Sequence, residues 1–318
     1  MHSQRPHPLT SADRSIAHTG RRHGTATRTG ARGVRPATPR RAAAAPGRAS
    51  TRFRAGAGEP LVLVHGLGLT WRSWKPVLPA LTAAHDVLAL DLPGFGAAPP
   101  LRHRAPTVAA LADAVEAELD SAGLDDVHVA GNSLGGWIAL ELARRGRAAT
   151  VVALSPSGLE TPAERVAVIA VNELVRARNI VAAPAAAALT ADPASRQAML
   201  GALRSRPWRL PAAEAAAEIR DFARAPGFQS TLRSTTGSHP ATGLGSISVP
   251  ARICFGTRDL MLGALTAPRF AAAIPGAELV PLPGCGHVPI ADDPPVVATA
   301  ITTLTTRAPV RTDRRAAR

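Results

Sequence analysis

The most constraining feature of this 318-residue chain is the turn Gly-Asn-Ser-Leu-Gly at residues 131–135, which is followed by a further glycine, Gly136. The apolar run at residues 127–130 predicts a buried strand leading straight into the turn, and residues 134–145 predict a helix with arginine in its last turn. Small residues beside Ser133 let the strand and the helix approach closely and leave the hydroxyl exposed. Because the start of a helix favours negative charge, this context indicates a nucleophilic serine.

A serine hydroxyl is a poor nucleophile at neutral pH and needs a base. Two histidines follow Ser133, namely His239 and His287. His287 comes directly after a glycine-rich loop and the last predicted strand, so its ring can turn toward the serine. We therefore assign the base to His287. His65 precedes the serine, and we interpret it as a residue that braces a loop.

An acid that orients the histidine should follow a strand and precede His287. Asp259 meets both conditions, because it lies four residues after Phe255, where a predicted strand ends. Its carboxylate is expected to accept the Nδ1 proton of His287 and to stabilise the imidazolium. Other aspartates lie in a helical segment or after the histidine: Asp192, Asp221, Asp292 and Asp293.

Negative charge that develops on a substrate oxygen needs backbone donors. One donor is expected to be the amide of Leu134, the residue after the nucleophile. The other should come from the loop after the first strong strand, where we choose Leu67 in the segment His-Gly-Leu-Gly at residues 65–68.

Strands and helices alternate over residues 51–156 and again over residues 246–306, which predicts a parallel sheet with helices on both faces. Residues 157–245 are helical in character, rich in alanine and arginine and interrupted by prolines, with no buried-strand pattern. A helical block inserted there predicts a cap over the carboxyl ends of the strands. Residues 1–50 and 307–318 are expected to be disordered basic ends.

The net charge of +14 is concentrated in those two ends, because residues 1–54 hold twelve arginines and one acid, and residues 307–318 hold five arginines and one acid. The intervening chain is close to neutral, so no specific nucleic-acid partner is expected. No run approaches the roughly 20 apolar residues of a membrane span.

The cellular location is expected to be cytoplasmic, and the two cysteines, Cys254 and Cys285, are expected to be buried thiols in a reducing compartment. The arginine- and threonine-rich start also fits a transit peptide, or a start site assigned too far upstream.

Taken in order along residues 51–306, these motifs resemble the α/β-hydrolase fold family. The segment Asp-Leu-Pro-Gly-Phe-Gly at residues 91–96 adds to the likeness. The resemblance implies a mostly parallel eight-stranded sheet, helices on both faces, an inserted helical cap, and no metal or organic cofactor. The family usually opens with a hairpin of two strands. Only residues 51–54 correspond to it here, so we expect the first strand to be missing or degenerate.

Three functions follow as hypotheses. The leading one is hydrolysis of an ester or related acyl bond of a small, apolar substrate through Ser133, His287 and Asp259 with an acyl-enzyme. Asn132 is similar to the residue before the serine in carbon–carbon bond hydrolases of ring-cleavage dienoates. A non-catalytic ligand-binding protein on the same fold is the third. Serine at the turn argues against haloalkane dehalogenases and epoxide hydrolases, which resemble this chain but place aspartate there.

Overall fold

A computed structural model describes residues 50–237 and 240–310. In this part of the chain the strands form one seven-stranded sheet. The strands are β1 (Arg52–Ala55), β2 (Glu59–Val64), β3 (His85–Leu90), β4 (Val127–Asn132), β5 (Ala148–Leu154), β6 (Ala251–Gly256) and β7 (Glu278–Leu282).

The strand order is β1-β3-β2-β4-β5-β6-β7. The strand β1 pairs antiparallel with β3, and all other neighbours are parallel. Every residue of β4, β5 and β6 is buried. Both faces of the central sheet are therefore covered, as is usual for parallel strands joined by helices.

The family resemblance implies eight strands, whereas the described residues contain seven. The difference lies before β1, which is an edge strand that pairs only with β3. Residues 1–50 carry no alternating apolar pattern, and all of them except Ser50 lie outside the described residues. The first strand of the family's opening hairpin, which we expected to be missing or degenerate, is therefore absent from the described sheet. The mostly parallel α/β architecture is confirmed.

Ten α-helices accompany the sheet in the described ranges. They are α1 (Leu78–Thr82), α2 (Val108–Ser121), α3 (Leu134–Arg144), α4 (Pro162–Ala182), α5 (Ala186–Leu189), α6 (Pro193–Leu200), α7 (Ala212–Arg224), α8 (Phe228–Thr236), α9 (Gly263–Ala273) and α10 (Pro294–Thr305).

The segment between β2 and β3 does not form one continuous helix. The structure has a 3-10 turn at Trp71–Trp74 and then the short helix α1. Two prolines, Pro76 and Pro79, explain the break, since proline has no N–H to donate and is tolerated only in the first turn of a helix. Pro79 lies in that first turn of α1.

Helices α4 to α8 lie between β5 and β6, and we call them the inserted helices. The long helix α4 begins with a capping box, in which Thr161 and Glu164 each accept from the other's backbone N–H. It packs against α7, which in turn contacts α5 and α6. The boundaries of a cap at residues 157–245 stay a prediction.

The predicted disordered ends, residues 1–50 and 307–318, lie outside the described residues except for Ser50 and residues 307–310. Cys254 and Cys285 are buried free thiols. Across the described ranges, the helices are too short or too polar to span a bilayer.

Candidate active site

Ser133 lies in the turn between β4 and α3, with a backbone conformation that few residues adopt. Its φ is 56° and its ψ is −117°, a strained region for a residue with a side chain. The surrounding chain holds it there, because the Ser133 N–H donates to the Leu154 carbonyl at 2.9 Å and the Ser133 carbonyl accepts from Trp137 N at 3.1 Å. The serine is thus fixed by both the neighbouring strand and the following helix.

The glycines around Ser133 are required because backbone atoms occupy the space a side chain would need. A Cβ added at Gly131 would lie 2.0 Å from the carbonyl oxygen of Gly135. One added at Gly135 would lie 2.1 Å from the carbonyl oxygen of Val64. Glycine is therefore needed at these two positions because β4, α3 and β2 approach one another closely there.

The structure brings the three residues proposed from sequence together. His287 Nε2 lies 2.9 Å from Ser133 Oγ, and His287 Nδ1 lies 3.0 Å from Asp259 Oδ2. His287 and Asp259 follow β7 and β6, so the parallel strands deliver all three side chains to one edge of the sheet. With a proton on Nδ1 donated to Asp259, Nε2 is left to accept the serine proton.

Asp259 is held as an anion although it is buried. Burial by itself raises the pKa of its carboxyl, but the charge and hydrogen bond of His287 and the N–H groups of Leu262 and Met261 outweigh burial, so the pKa is lowered. Oδ1 accepts from Met261 N at 2.9 Å and from Leu262 N at 3.0 Å. The second oxygen is thereby left for His287.

Leu67 and Leu134, the expected oxyanion donors, both line the cavity that contains Ser133. Leu134 is the first residue of α3, so its N–H has no partner one turn back within the helix. The segment before Leu67 lies against the nucleophile, because a Cβ added at Gly66 would be 3.3 Å from Ser133 Cβ. Both amides belong to backbone that borders the serine.

His65 is fully buried and joins two loops. Its Nδ1 lies 2.8 Å from the Gly66 carbonyl, and its Nε2 accepts from Leu92 N at 2.9 Å. Burial lowers the pKa of His65 to about 4, so the ring is neutral at neutral pH. These contacts match the bracing role expected from its place before the serine. His239 lies outside the described residues.

Asn132 has a contact that the sequence analysis missed. Its Nδ2 donates to the Leu154 carbonyl and to the His287 carbonyl, both at 3.0 Å. The side chain thus ties the histidine loop to the strand beside the nucleophile. In the sequence, the one sign of this role is an amide residue at the end of a predicted buried strand. This contact gives Asn132 a structural role at the histidine loop.

Asp292 is a second residue that sequence reasoning passed over. Its Oδ2 accepts from Gly286 N at 2.7 Å and from Ser205 N at 3.0 Å, and its Oδ1 accepts from Arg206 N at 2.8 Å. Gly286 precedes the histidine, whereas Ser205 and Arg206 belong to the segment of the inserted helices. Asp292 therefore links the histidine loop to those helices.

The cavity beside Ser133 encloses about 770 Å³ of empty space including its opening. The sheet side contributes Leu134, Leu262 and His287, and the inserted helices contribute Val168 and Leu232. Across residues 50–237 and 240–310, no three His, Cys, Asp or Glu side chains form a group able to hold a metal ion.

A family model described as the alpha/beta hydrolase family matches residues 61–300. The chain belongs to the α/β hydrolase family. Curated relatives carry hydrolase names as well. An epoxide hydrolase of Mycobacterium tuberculosis is 31% identical over 200 residues, covering 62% of this chain and 94% of that protein. The pimeloyl-[acyl-carrier protein] methyl ester esterase of Aromatoleum aromaticum is 31% identical over 242 residues, covering 74% and 93%.

Another relative is the dihydrolipoyllysine-residue acetyltransferase component of the acetoin cleaving system of Pseudomonas putida, 33% identical over 238 residues. That match covers 73% of this chain and 59% of the longer relative. Among solved structures, a thermophilic esterase from Thermogutta terrifontis has a TM-score of 0.65 and 24% identity, covering 80% of this chain and 92% of that one. The last likeness shows the fold alone.

Proposed function

We propose that this protein hydrolyses carboxylic esters of small molecules through an acyl-enzyme. The observation that carries the proposal is the chain of contacts from Ser133 Oγ to His287 Nε2 at 2.9 Å and from His287 Nδ1 to Asp259 Oδ2 at 3.0 Å. A serine hydroxyl within reach of an imidazole, itself oriented by a carboxylate, is the arrangement that activates serine for attack on a carbonyl.

In the first half of the reaction, His287 Nε2 takes the proton from Ser133 Oγ while Oγ bonds to the carbonyl carbon. The electron pair of the carbonyl moves to oxygen, where the amides of Leu67 and Leu134 donate to it. When the tetrahedral species collapses, the bond to the alcohol oxygen breaks and His287 returns the proton to the departing alcohol. Asp259 stabilises the imidazolium throughout and keeps its own charge.

In the second half, water attacks the acyl carbon and gives a proton to His287 Nε2. The bond from the acyl carbon to Ser133 Oγ then breaks, and Oγ recovers the proton from His287. The products are a carboxylic acid and the free enzyme. These reaction steps need only the groups named above and one water molecule.

The inserted helices act in this proposal as a cap that sets substrate size. Side chains of α4 and α8 line the cavity together with the turn that bears Ser133. The name of the methyl ester esterase relative, which matches over 93% of its own length, is consistent with ester substrates. Epoxide hydrolases that resemble this chain place aspartate at the position of Ser133, so the serine argues against epoxide hydrolysis here.

A panel of p-nitrophenyl and methyl esters of graded acyl length tests the proposal. The wild-type protein should turn over at least part of the panel, and Ser133→Ala should lower kcat/KM at least about 10⁴-fold. Ser246→Ala is the matched control, because this exposed serine bonds to the Gly243 carbonyl outside the cavity. It should keep wild-type turnover.

Three outcomes count against the proposal. Turnover of a ring-cleavage dienoate with no turnover of any ester would favour the carbon–carbon hydrolase hypothesis. Tight ligand binding without turnover, unchanged by Ser133→Ala, would favour a binding protein. Ester turnover retained by Ser133→Ala would remove the proposed nucleophile.

A further inference from the structure

A permanently charged residue that the proposed ester hydrolysis does not use lines the cavity beside Ser133. Arg165, near the start of α4, lines this cavity. Val168 and Asn172 line it too, three and seven residues further on, so these side chains share one face of the helix. Apolar residues predominate in the rest of the wall. A guanidinium in such surroundings gains strongly from an anionic partner.

The carboxylate next to Arg165 in sequence is already engaged. Glu164 accepts from Arg269 Nη2 at 3.0 Å and from Thr161 N at 2.7 Å. The hydrogen bond with Arg269 and the one with the Thr161 backbone lower the pKa of Glu164 to about 2. Its charge is therefore committed to Arg269, away from Arg165.

A second carboxylate, Glu160, lines the same cavity as Arg165. Both of its oxygens accept from Gly158 N, at 3.0 and 2.9 Å. Burial raises the pKa of Glu160, and the positive charge of Arg165 partly offsets the rise. The two groups thus feel each other's charge, yet among the described residues no carboxylate oxygen lies within 4.0 Å of an Arg165 nitrogen.

The hydrogen bond found for Arg165 in the described chain is from Nη1 to the Thr236 carbonyl at 3.2 Å. Thr236 is the last residue of α8, so this bond holds the guanidinium between the two inserted helices that face Ser133. A guanidinium has five N–H donors in a planar fork, and two of them can bind both oxygens of a carboxylate.

We propose, resting on the proposed ester hydrolysis, that Arg165 selects ester substrates that carry a carboxylate away from the scissile bond. The apolar wall takes the carbon chain between the ester and that carboxylate. Glu160 opposes the selection through its negative charge, so the preference for an anionic substrate reflects the balance of the two residues. Substitutions at the two positions should therefore shift the preference in opposite directions.

Paired substrates test this inference. Monomethyl esters of linear dicarboxylic acids carry the carboxylate on the acyl side, and methyl esters of monocarboxylic acids of equal length are their neutral partners. The readout is the ratio of kcat/KM between the two members of a pair. Because the ratio is taken within one variant, a general loss of activity or of folded protein cancels.

In the wild-type protein the ratio should favour the anionic ester. Arg165→Met should lower this ratio about tenfold, mainly through a higher KM for the anionic member. Arg165→Lys, which keeps the charge without the planar fork, should give an intermediate ratio. Glu160→Gln should raise the ratio, since it removes the opposing charge and keeps an oxygen that can accept from Gly158 N.

A second pair, the acetyl esters of an ω-hydroxy acid and of the matching alcohol, places the carboxylate on the alcohol side. A loss of preference in Arg165→Met for either pair supports the inference and identifies the part of the substrate that reaches Arg165. If Arg165 only joins α4 to α8, both members of a pair change alike, and an unchanged ratio overturns the inference while ester hydrolysis stands. If the wild-type protein turns over esters of the graded panel but neither member of any pair, the inference fails while ester hydrolysis stands; if it turns over no ester at all, the proposed function itself fails.

Discussion

The two halves of the cavity differ in how their residues are constrained. The core half consists of the turn at Ser133 and the loops that bear Asp259 and His287, and it is constrained by close backbone approach at its glycines and by the contacts of His287. The helical half consists of the faces of α4 and α8, whose positions depend on side-chain packing and on links such as the one through Asp292. Substitutions should be tolerated far less in the core half, where chemistry is proposed, than in the helical half, where selection is proposed.

The largest expected effect comes from Gly135→Ala in the core half. The new methyl group would lie 2.1 Å from the Val64 carbonyl oxygen, a backbone atom that cannot turn aside as the end of a flexible side chain could. We expect a loss of about 4 kcal/mol in the free energy of unfolding and no measurable activity. Urea unfolding measures the loss.

Gly245→Ala is the control, because its Cβ would meet its nearest neighbour, the Ala273 carbonyl oxygen, at 3.8 Å. This variant should stay within about 0.5 kcal/mol of the wild type. Equal stability of Gly135→Ala and Gly245→Ala would show that close backbone approach does not constrain the core half.

The second effect concerns acid stability and His65. In the unfolded chain this histidine binds a proton as pH falls below about 6.5, whereas burial lowers its pKa in the folded chain to about 4. The unfolded state therefore gains protons first, and stability is lost as pH falls from 6.5 to 4, by about 3 kcal/mol. Urea unfolding at pH 7 and at pH 4 gives the difference.

His65→Gln lacks the titrating ring and should lose that part of the pH dependence, although other groups still contribute to the remainder. A pH dependence identical in both proteins would contradict the neutral, buried state of His65. Such a result would also weaken the account of the core half as a rigid frame.

A smaller effect is expected at the link between the halves. Asp292→Asn replaces one carboxylate oxygen by an NH₂ group that must face a backbone N–H, from Arg206 on one side or from Ser205 and Gly286 on the other. We expect a loss of about 2 kcal/mol in stability and a lower kcat, because Gly286 precedes His287. Unfolding curves and ester turnover are the measurements.

Asp293→Asn is the neighbouring control. Asp293 caps α10 by accepting from Val296 N, and asparagine caps helices equally well. Its ion pair with Arg206 is partly exposed, so the cost should stay below about 1 kcal/mol. If the two variants behave alike, Asp292 is not a link between the halves.

The smallest effects lie on the outer surface of the helical half. Val181 on α4 is 82% exposed, whereas Val175 on the same helix is 3% exposed. Val181→Ala should change the free energy of unfolding by less than about 0.5 kcal/mol, and Val175→Ala should cost roughly 2 kcal/mol. Thermal unfolding compares the two. Equal losses would contradict the difference in burial between Val175 and Val181 in this structure.

Sequence reasoning succeeds where constraints are local. The turn around Ser133 could be predicted because glycine spacing there reflects contacts between residues close in the chain. Asp259 and His287 could be located because each follows a strand in a fixed order.

The contacts of Asn132 and Asp292 could not be predicted, since they join residues 155 and 87 positions apart and leave no periodic signal. The inserted helices could be predicted as a helical block, but not individually. Prolines interrupt their alanine-rich sequence at several positions, and the sequence alone does not locate the bounds of each helix. The cavity-facing position of Arg165 depends on how α4 rotates against its neighbours, which only the packed structure defines.

Labelling with a serine-directed fluorophosphonate tests the central claim most directly. The proposed arrangement of Ser133 and His287 predicts one adduct per folded chain, located by peptide mass spectrometry on Ser133 and absent from Ser133→Ala. A folded wild-type protein that takes up no label, or a Ser133→Ala variant that is labelled equally well, would contradict the claim.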